Sequence, residues 1–538
     1  MQRRIHSGLI PSIGTLALTI TGCSADKAAV KPNIILIMAD DMGYSDIGCF
    51  GSEISTPNLD RLAEQGIRMT QFYNASRSCP TRASLLTGLY QHQAGVGDMV
   101  SDLGWPSYQG YLNDQCVTLA EALRLAGYNT YMSGKWHVGA RAEVHPVKRG
   151  FDRYFGLIDG AGSYFERKAY RVNQQPPRWM LDTLDYDPPE TGFYMTDAIT
   201  DYAISFLEEG PSDERPFFLY LPYTAPHWPL HALPEDIAKY RGAYLKGWDK
   251  LRQERYERMI GMGIIDNSVK LSLRDSMSPE WESLPQEERE MWDLRMAVYA
   301  AMIDRLDQNI GRVIDYLTGK GILDNTMIVF IADNGGCHEP IKNRGNYLPT
   351  TAETGTRESF DAYEYPWANA SNSPFRLFKH WVHEGGIASP FIAFYPQIIK
   401  GATLSDQPAH IIDIMPTILE LAGGVYPEKH NGKTIKPMEG ISLVPLFKGN
   451  SLRRFNPLFW EHEGNRAVRD GDWKLVSAYD YGKKEFMKWE LYNLKEDRSE
   501  LNDLSEKFPE KQSEMIGKYE EWADRAGVVS KEVIDRRK

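Results

Sequence analysis

The sequence has few cysteines and no surplus of positive charge. Its 538 residues include five cysteines, too few for a disulfide framework to hold a chain of this length. Lys and Arg number 61 against 73 Asp and Glu, so the formal net charge is −12. This balance argues against broad attraction to nucleic acid or another polyanion. We expect no nucleic-acid partner, and an anionic substrate would need a local cluster of positive charge.

The apolar stretch near the N-terminus is too short to span a bilayer. After a basic start, residues 8–20 read GLIPSIGTLALTI, and small residues lead to Cys23. Such an order is typical of a secretory signal peptide. The ending resembles a bacterial lipobox, which predicts a signal peptide over 1–23, a tether over 24–31 and a lipid anchor on Cys23. We expect an exported lipoprotein, on the periplasmic side of the outer membrane or at the cell surface; an ordinary cleaved signal peptide is the alternative.

Short apolar runs alternate with amphipathic runs along most of the chain. Five of them are typical of buried strands: NIILIM (33–38), YNTYMS (128–133), FFLYL (217–221), MIVFIA (327–332) and FIAFY (391–395). Strands that alternate with helices predict an α/β fold, with a large, mixed, mostly parallel sheet flanked by helices.

The pattern of polar and apolar residues changes along the sequence. We expect a main domain over 32–424, into which a polar, charged and helical segment at about 238–292 is inserted. After about Gly424, short strand-like pieces precede one charged helix, EKQSEMIGKYEEWADRA. This pattern predicts a small C-terminal α+β domain with an antiparallel sheet over 425–538.

Acidic and amide side chains directly follow two of the predicted strands. Asp40 and Asp41 come after NIILIM, and Asp333 and Asn334 come after MIVFIA. Ligands bind beyond the carboxyl ends of strands in open α/β sheets, so these residues can meet there. Three clustered carboxylates need a cation, and oxygen-only ligands favour calcium or magnesium over zinc. Alternatively, each pair caps a helix or turn.

Basic side chains form a second group of candidates: Arg82, Lys135, His137, His227 and Lys379. Of these, Lys135 and His137 follow YNTYMS, and His227 follows FFLYL. Donors beside a divalent cation suit a sulfate or phosphate ester, because they hold its oxygens while a histidine protonates the leaving oxygen. Individually, each could be a surface charge or a satisfied core histidine. His227 lies in the proline-rich loop YTAPHWPLHA, which argues against simple surface exposure.

The stretch SCPTRASLLTG (78–88) resembles the signature of type I sulfatases, C/S-x-P-x-R followed by a leucine-rich turn and Thr-Gly. Further pieces resemble the same family: PNIILIMADDMGYSD, GKWHVG, YTAPHWPLH, FIADNGG, FKHWVHEGG and RAVRDGDWKLV. The resemblance runs from about Pro32 to Leu504. It implies an alkaline-phosphatase-like fold and a sulfuric ester hydrolase that acts on sulfated glycans or aryl sulfates.

Two possible nucleophiles, Ser78 and Cys79, lie side by side in this signature. Pro80 and Arg82 match its fixed positions, so its first residue is Ser78 and Cys79 is variable. In this family the first residue is oxidised to formylglycine (3-oxoalanine); its hydrate attacks sulfur, and the second hydroxyl lets the hemiacetal collapse and release sulfate. The serine type implies an anaerobic radical sulfatase-maturing enzyme as a partner. Thr81 replaces the usual serine but keeps the hydroxyl.

The resemblance also implies roles for the other residues. One Ca²⁺ per chain would be bound by Asp40, Asp41, Ser78, Asp333 and Asn334. The catalytic residues would be Ser78, Arg82, Lys135, His137, His227 and Lys379. Among them, His227 is the candidate acid for the leaving oxygen and His137 the candidate base for sulfate elimination.

Two other functions are compatible with parts of the sequence. A phosphomonoesterase or phosphonate hydrolase of the same superfamily would use Ser78 unmodified, but such enzymes usually carry an Asp-His pair where this chain has Asp333-Asn334. A non-catalytic sulfoglycan-binding lipoprotein would have no use for a complete metal, acid and base set. Specificity is expected from the pocket rim: residues 91–99, 228–231, 337–344 and 379–384.

Overall fold

The computed structural model describes residues 31–210 and 215–536, together with Gln2. Apart from Gln2 and Lys31, the predicted signal peptide, Cys23 and the tether therefore lie outside the described residues. Within the described ranges, no helix combines the length and the apolar character that crossing a membrane requires.

The largest element is an eleven-stranded mixed sheet. Its strands are β1 (Asn33–Ala39), β2 (Ile67–Tyr73), β3 (Asn129–Ser133), β4 (Arg153–Leu157), β5 (Trp179–Leu181), β6 (Leu184–Asp185), β7 (Phe217–Pro222), β8 (Thr326–Ala332), β9 (Ala388–Phe394), β10 (Thr403–Ser405) and β11 (Ala409–His410). Their order is β10-β2-β9-β8-β1-β7-β3-β4-β5-β6, with β11 paired to β2. The central strands β8, β1, β7, β3 and β4 are parallel, whereas β9 is antiparallel to both neighbours. The predicted α/β fold with a mostly parallel sheet is confirmed.

Helices cover this sheet and extend beyond it. Within the described ranges they are α1 (Pro57–Gln65), α2 (Ser78–Thr87), α3 (Gln91–Ala94), α4 (Leu119–Leu125), α5 (Met195–Glu209), α6 (Pro234–Ala238), α7 (Trp248–Gly261), α8 (Gln286–Gly319), α9 (Glu364–Ser371), α10 (Glu384–Ile387), α11 (Ile414–Ala422), α12 (Val444–Phe447), α13 (Pro509–Ala526) and α14 (Lys531–Asp535). In α8, residues 295–304 are all buried, so this part of the helix is enclosed on every side rather than along one face.

The register of the central strands determines where the polar residues emerge. Every side chain of β8, and every one of β1 after Asn33, is buried, as expected for parallel strands covered on both faces. Ala39 of β1 pairs with Ala332 of β8. Because the two strands are parallel, Asp40 and Asp333 leave the sheet side by side at its carboxyl edge.

The polar segment between α6 and α8 is anchored by tryptophans. Trp248 of α7 packs edge to face against Trp281, with 4.8 Å between ring centroids, and against Trp367 of α9 at 5.5 Å. All three indoles are buried. Aromatic pairs of this kind add to the burial of apolar area, so a largely charged segment is held firmly on the main domain.

A second, antiparallel sheet follows in the C-terminal part. Small hairpins are formed by β12 (Lys429–His430) with β13 (Lys433–Thr434) and by β17 (Tyr479–Asp480) with β18 (Glu485–Phe486). The four-stranded sheet has the order β14 (Leu458–His462), β15 (Asn465–Asp470), β16 (Trp473–Ser477) and β19 (Glu490–Asn493), and α13 packs against it. The predicted C-terminal antiparallel sheet is confirmed. The segment before it lies against α2, where the Glu439 N–H donates to the Gly88 carbonyl.

Candidate active site

The residues singled out from the sequence meet at the carboxyl edge of the main sheet. Asp40 and Asp41 follow β1, Lys135 and His137 follow β3, His227 follows β7, and Asp333 and Asn334 follow β8. Ser78 is the first residue of α2, and Lys379 lies in the loop before α10. All of these side chains are buried, as is that of Arg82. The strand order, rather than the sequence order, brings them together.

The Ser78 hydroxyl lies among carboxylates. Its Oγ is 2.8 Å from Asp40 Oδ1 and 2.6 Å from Asp333 Oδ2. The backbone N–H of Asp41 donates to Asp333 Oδ1 at 3.1 Å, which joins the loops after β1 and β8. The first position of the signature therefore faces the acidic residues.

Asn334 adds an unpaired amide oxygen to the carboxylates. Its amide nitrogen donates to Asp41 Oδ1 at 2.7 Å and to the Gly335 carbonyl at 2.8 Å, while its Oδ1 is buried without a hydrogen-bond partner. A buried polar atom left unpaired is costly, and a cation would satisfy it. Three carboxylates, an amide oxygen and a hydroxyl fit a hard cation such as Ca²⁺.

His227 also has a ring nitrogen near this cluster. One ligand atom each from Asp40, Asp41 and His227 lies within 4.8 Å of the others. The His227 Nε2 is 3.3 Å from Asp41 Oδ2. We attribute this contact to an ion pair of the protonated ring rather than to metal ligation, because the unpaired oxygen of Asn334 completes an all-oxygen set.

Each carboxylate has a cation beside it. Lys135 Nζ lies 2.5 Å from Asp40 Oδ2, Arg82 Nη2 lies 2.8 Å from Asp333 Oδ2, and Lys379 Nζ lies 2.8 Å from Asp41 Oδ2. Burial raises the pKa of Asp40, but the Lys135 charge and other cations outweigh it, so this pKa lies below its usual value. For Asp333, burial and the charge of Asp40 prevail over Arg82, and the pKa is raised. The two carboxyl groups are therefore not equivalent.

The His227 ring is oriented by the backbone. Its Nδ1 lies 2.6 Å from the Trp228 carbonyl oxygen, which only accepts, so Nδ1 carries hydrogen and Nε2 faces the site. Nε2 is 3.5 Å from Lys379 Nζ. Burial lowers the pKa of His227, although the neighbouring Asp41 charge opposes this.

The His137 ring has little room around it. The backbone of His137 has a positive φ of 53°, and the ring Nδ1 is buried without a hydrogen-bond partner. Burial and the charges of Lys135 and Arg82 lower its pKa well below the usual value. A Cβ atom at Gly160 would lie 2.5 Å from His137 Nε2, so only glycine leaves space for this ring. Sequence reasoning missed Gly160, although it lies in the glycine-containing stretch DGAGS.

Cys79 faces away from the carboxylates. Its Sγ lies 3.5 Å from Met99 Sδ and 3.8 Å from the Asp98 carbonyl, and burial raises the pKa of its thiol to about 12. A buried thiol of this kind is a poor nucleophile.

Arg77 and Glu339 are further polar residues that were not singled out. Arg77 Nη2 lies 2.9 Å from Glu339 Oε1, and the Trp228 indole N–H donates to Glu339 Oε2 at 2.9 Å. The sequence named only the segment 337–344 as part of the rim. No local sequence pattern could have predicted the contact between Trp228 and Glu339, because these residues are 111 positions apart.

Two histidines near the site are accounted for by local hydrogen bonds. His231 Nε2 lies 2.8 Å from the Ser359 carbonyl, and burial lowers its pKa to about 4. His380 Nδ1 lies 3.0 Å from Glu463 Oε2, while the Asn465 amide nitrogen faces its Nε2 at 3.3 Å. The proton of His380 is thus on Nδ1, as in an ordinary histidine–carboxylate hydrogen bond.

Comparison with known proteins identifies the family. Residues 32–425 match the family model described as Sulfatase. The chain belongs to the sulfatase family. Residues 375–521 of this sulfatase also match a model described as N-sulphoglucosamine sulphohydrolase, C-terminal. The predicted family is confirmed, and with it the enzyme class, a sulfuric ester hydrolase.

The sulfatase is similar over nearly its whole length to several known proteins. It is 39% identical to an uncharacterized sulfatase of Schizosaccharomyces pombe, over 93% of this chain and 95% of that protein. It is 36% identical to an arylsulfatase of Klebsiella aerogenes, over 80% and 95%. Its fold matches a crystal structure of Ps i-CgsB in complex with k-i-k-neocarrahexaose, with a TM-score of 0.67, 26% identity and coverage of 92% and 93%.

Proposed function

We propose that this sulfatase hydrolyses sulfate monoesters of glycans, with Ser78 oxidised to formylglycine and one Ca²⁺ at the carboxylate cluster. The supporting observation is the position of the Ser78 Oγ, which lies within 2.8 Å of Asp40 and 2.6 Å of Asp333 at the start of α2. Likeness to a protein bound to neocarrahexaose supports a sulfated carbohydrate as substrate. Likeness to an arylsulfatase makes aryl sulfates the second substrate class.

Calcium would be held by oxygens of Asp40, Asp41, Asp333, Asn334 and residue 78. When bound, it would neutralise the carboxylates, while a hydrated formylglycine would supply the nucleophilic oxygen and the release route that serine lacks. The distance of 2.6 Å between Ser78 Oγ and Asp333 Oδ2 supports a role for Asp333 in receiving a proton from residue 78.

The remaining residues would bind the sulfate ester and protonate its leaving oxygen. Lys135 and Lys379 present ammonium groups to the site, and the anionic oxygens of a sulfate ester can accept charge-assisted hydrogen bonds from such donors. The Nε2 of His227 faces the site because Nδ1 is held by the Trp228 carbonyl. In its protonated form His227 can therefore donate to the leaving oxygen, while Nδ1 keeps its hydrogen bond.

Export and lipidation are part of the same proposal. They are supported by the apolar stretch 8–20 and by Cys23, as the sequence predicts. In a bacterial host, labelled palmitate should be incorporated into the wild-type chain and not into Cys23→Ser. Labelling of both would show that the anchor is elsewhere.

The maturation of Ser78 is the test of the proposed chemistry. Without a serine-type maturase the protein should fold and bind sulfated ligand but turn over little or nothing. Co-expression with the radical maturase should restore turnover, and the peptide containing residue 78 should lose about two mass units. Ser78→Cys should instead be activated by the aerobic formylglycine-generating system.

Cys79 provides the matched control for this experiment. Cys79→Ala should stay largely active after maturation, since its thiol faces the core beside Met99. If Cys79→Ala abolishes activity while Ser78→Ala does not, the assignment of Ser78 is wrong. Turnover of a phosphate monoester by the unmodified chain would favour the phosphomonoesterase alternative.

A further inference from the structure

The Glu339 carboxylate joins three segments that carry candidate catalytic residues. It accepts from Arg77, which directly precedes Ser78, and from the indole of Trp228, which directly follows His227; both distances are 2.9 Å. Its Oε2 also lies 3.9 Å from Lys379 Nζ. One side chain from the loop after β8 therefore links the segments of the nucleophile, the candidate acid and a sulfate-binding lysine.

Trp228 connects Glu339 with His227. Its indole N–H is bound to Glu339, and its own carbonyl oxygen accepts from His227 Nδ1 at 2.6 Å. The two rings are 4.5 Å apart between centroids. A shift of Trp228 would thus move both the hydrogen-bond partner and the packing surface of the His227 ring.

Two further aromatic residues pack against the Trp228 ring. Tyr170 and Phe360 contact it edge to face at 5.7 Å and 5.8 Å, and the indole is 8% exposed. Packing restricts the ring in the direction of these neighbours but does not set the direction of its N–H group. Within the described contacts, Glu339 is the acceptor that sets it.

The Glu339 carboxylate is ionised in this setting. Burial raises its pKa, but the Lys379 and Arg77 charges outweigh burial and hold the pKa well below the usual value. A hydrogen bond to a charged acceptor is about twice as strong as a neutral one, so Glu339 is a firm anchor for the indole.

We infer that Glu339 is a positioning residue of the sulfatase site, acting through Trp228 to hold His227 Nε2 toward the leaving oxygen. Within the described contacts, its carboxylate meets Arg77, Trp228 and Lys379 and not the carboxylate cluster. The inference rests on the proposed function, because the acid role of His227 belongs to that proposal. Loss of Glu339 should therefore resemble a partial loss of His227.

Two esters with different leaving groups test the inference. Acid assistance matters most when the leaving oxygen is strongly basic, so a 6-O-sulfated hexose depends on His227 far more than 4-nitrophenyl sulfate does. With matured enzyme, His227→Ala shows the effect of losing all acid assistance, and kcat on the sugar ester should fall about 10²–10⁴-fold. Glu339→Ala should lower kcat on the sugar ester about tenfold or more, part of that range, with KM little changed. The loss on the aryl ester should be at least five times smaller, by the same leaving-group argument.

Further variants separate positioning from a general structural effect. Trp228→Phe keeps an aromatic ring at this position and removes the N–H donor, so it should give the same selective loss. The double variant Glu339→Ala/Trp228→Phe should be no worse than the poorer single variant, since both break one link. Glu339→Gln keeps an acceptor for the indole and should recover part of the loss. Glu353→Ala, an exposed carboxylate of the same loop, should change neither rate.

The possible failures are distinguishable from one another. If the matured wild type hydrolyses neither ester, the proposed function falls, and the inference falls with it. If the wild type is active, an equal loss on both esters for Glu339→Ala, or additive losses in the double variant, overturns the inference alone. If Glu339→Ala does not fold, Trp228→Phe decides: an unselective loss, or no loss, overturns the role of the link.

Discussion

At the scale of single residues, Asn334 presents a buried, unpaired amide oxygen beside three carboxylates. Oxygen donors of this kind select calcium over zinc. Asp333→Ala should abolish both metal binding and sulfatase activity, since it removes one of the carboxylates that would hold the cation. Elemental analysis and a thermal melt would measure metal content and folding.

The control for this variant is Asp324→Ala, which removes an exposed carboxylate in the turn before β8. It should keep both calcium and activity. Stoichiometric zinc in the wild type, with no calcium, would reject the assignment of the metal.

Gly160 offers a test of the His137 position without altering a polar group. A methyl group at this position would lie 2.5 Å from His137 Nε2, whereas one at Gly162 would meet its nearest neighbour at 3.6 Å. Gly160→Ala should therefore lower kcat by about tenfold or more, because a small displacement of a positioned group is costly to catalysis. Gly162→Ala should retain near wild-type activity. Equal rates for the two variants would mean that the His137 ring is not held where its role requires.

At the scale of elements, five strands of the main sheet were predictable because their side chains are almost all buried. Runs such as NIILIM and MIVFIA can only be covered on both faces, and polar residues directly after them mark the carboxyl edge. The direction of β9 was not predictable, since FIAFY is equally apolar in a parallel or an antiparallel strand. Likewise, the contacts of Glu339 depend on loops that meet only after folding.

Helix α2 begins with Ser78, and the backbone turn that ends it requires a glycine. Gly88 has a φ of 68°, its N–H donates to the Ser84 carbonyl, and a Cβ there would lie 2.9 Å from Met415 Cβ. Gly127 also has a positive φ, of 85°, but a Cβ atom added there would have no neighbour within 4 Å. Both substitutions to alanine bring backbone strain of about 1–2 kcal/mol.

The difference in stability between the two alanine variants therefore measures how closely side chains pack around the end of α2. Gly88→Ala should lower the free energy of unfolding by about 1–3 kcal/mol more than Gly127→Ala, because only Gly88 is crowded. Denaturant titration of each variant gives the two values. Equal losses would show that the contact with Met415 relaxes without cost.

At the scale of the whole molecule, buried charges join the C-terminal sheet to helix α10. Lys474 of β16 is fully buried and lies 3.0 Å from Glu384 Oε1 and 2.7 Å from Glu500 Oε1. Lys474→Met leaves these carboxylates without their lysine and should reduce the free energy of unfolding by about 3–5 kcal/mol. Lys483→Met, at an exposed pair with Asp480, should cost less than about 1 kcal/mol. Similar melting temperatures for both variants would contradict this.

The same contact predicts how stability depends on pH. Burial raises the pKa of Glu384, but Lys474 and two arginines outweigh burial and lower it from the unfolded value of 4.5. Its contribution is therefore complete above about pH 4.5 and is lost as the pH falls toward the lowered folded pKa. Acid titration of folding should show this loss in the wild type and a smaller one in Lys474→Met.

The burial of Ser78 places a constraint on the order of events in the cell. The residue is 2% exposed, and every residue of α2 is buried. Under the proposed maturation, an enzyme that oxidises Ser78 would need access to a side chain that the folded chain buries. Oxidation and folding would then compete in time, and the yield of active sulfatase would be set by which is faster. Slowing the folding of newly made chains, rather than supplying more maturase to finished protein, would raise that yield.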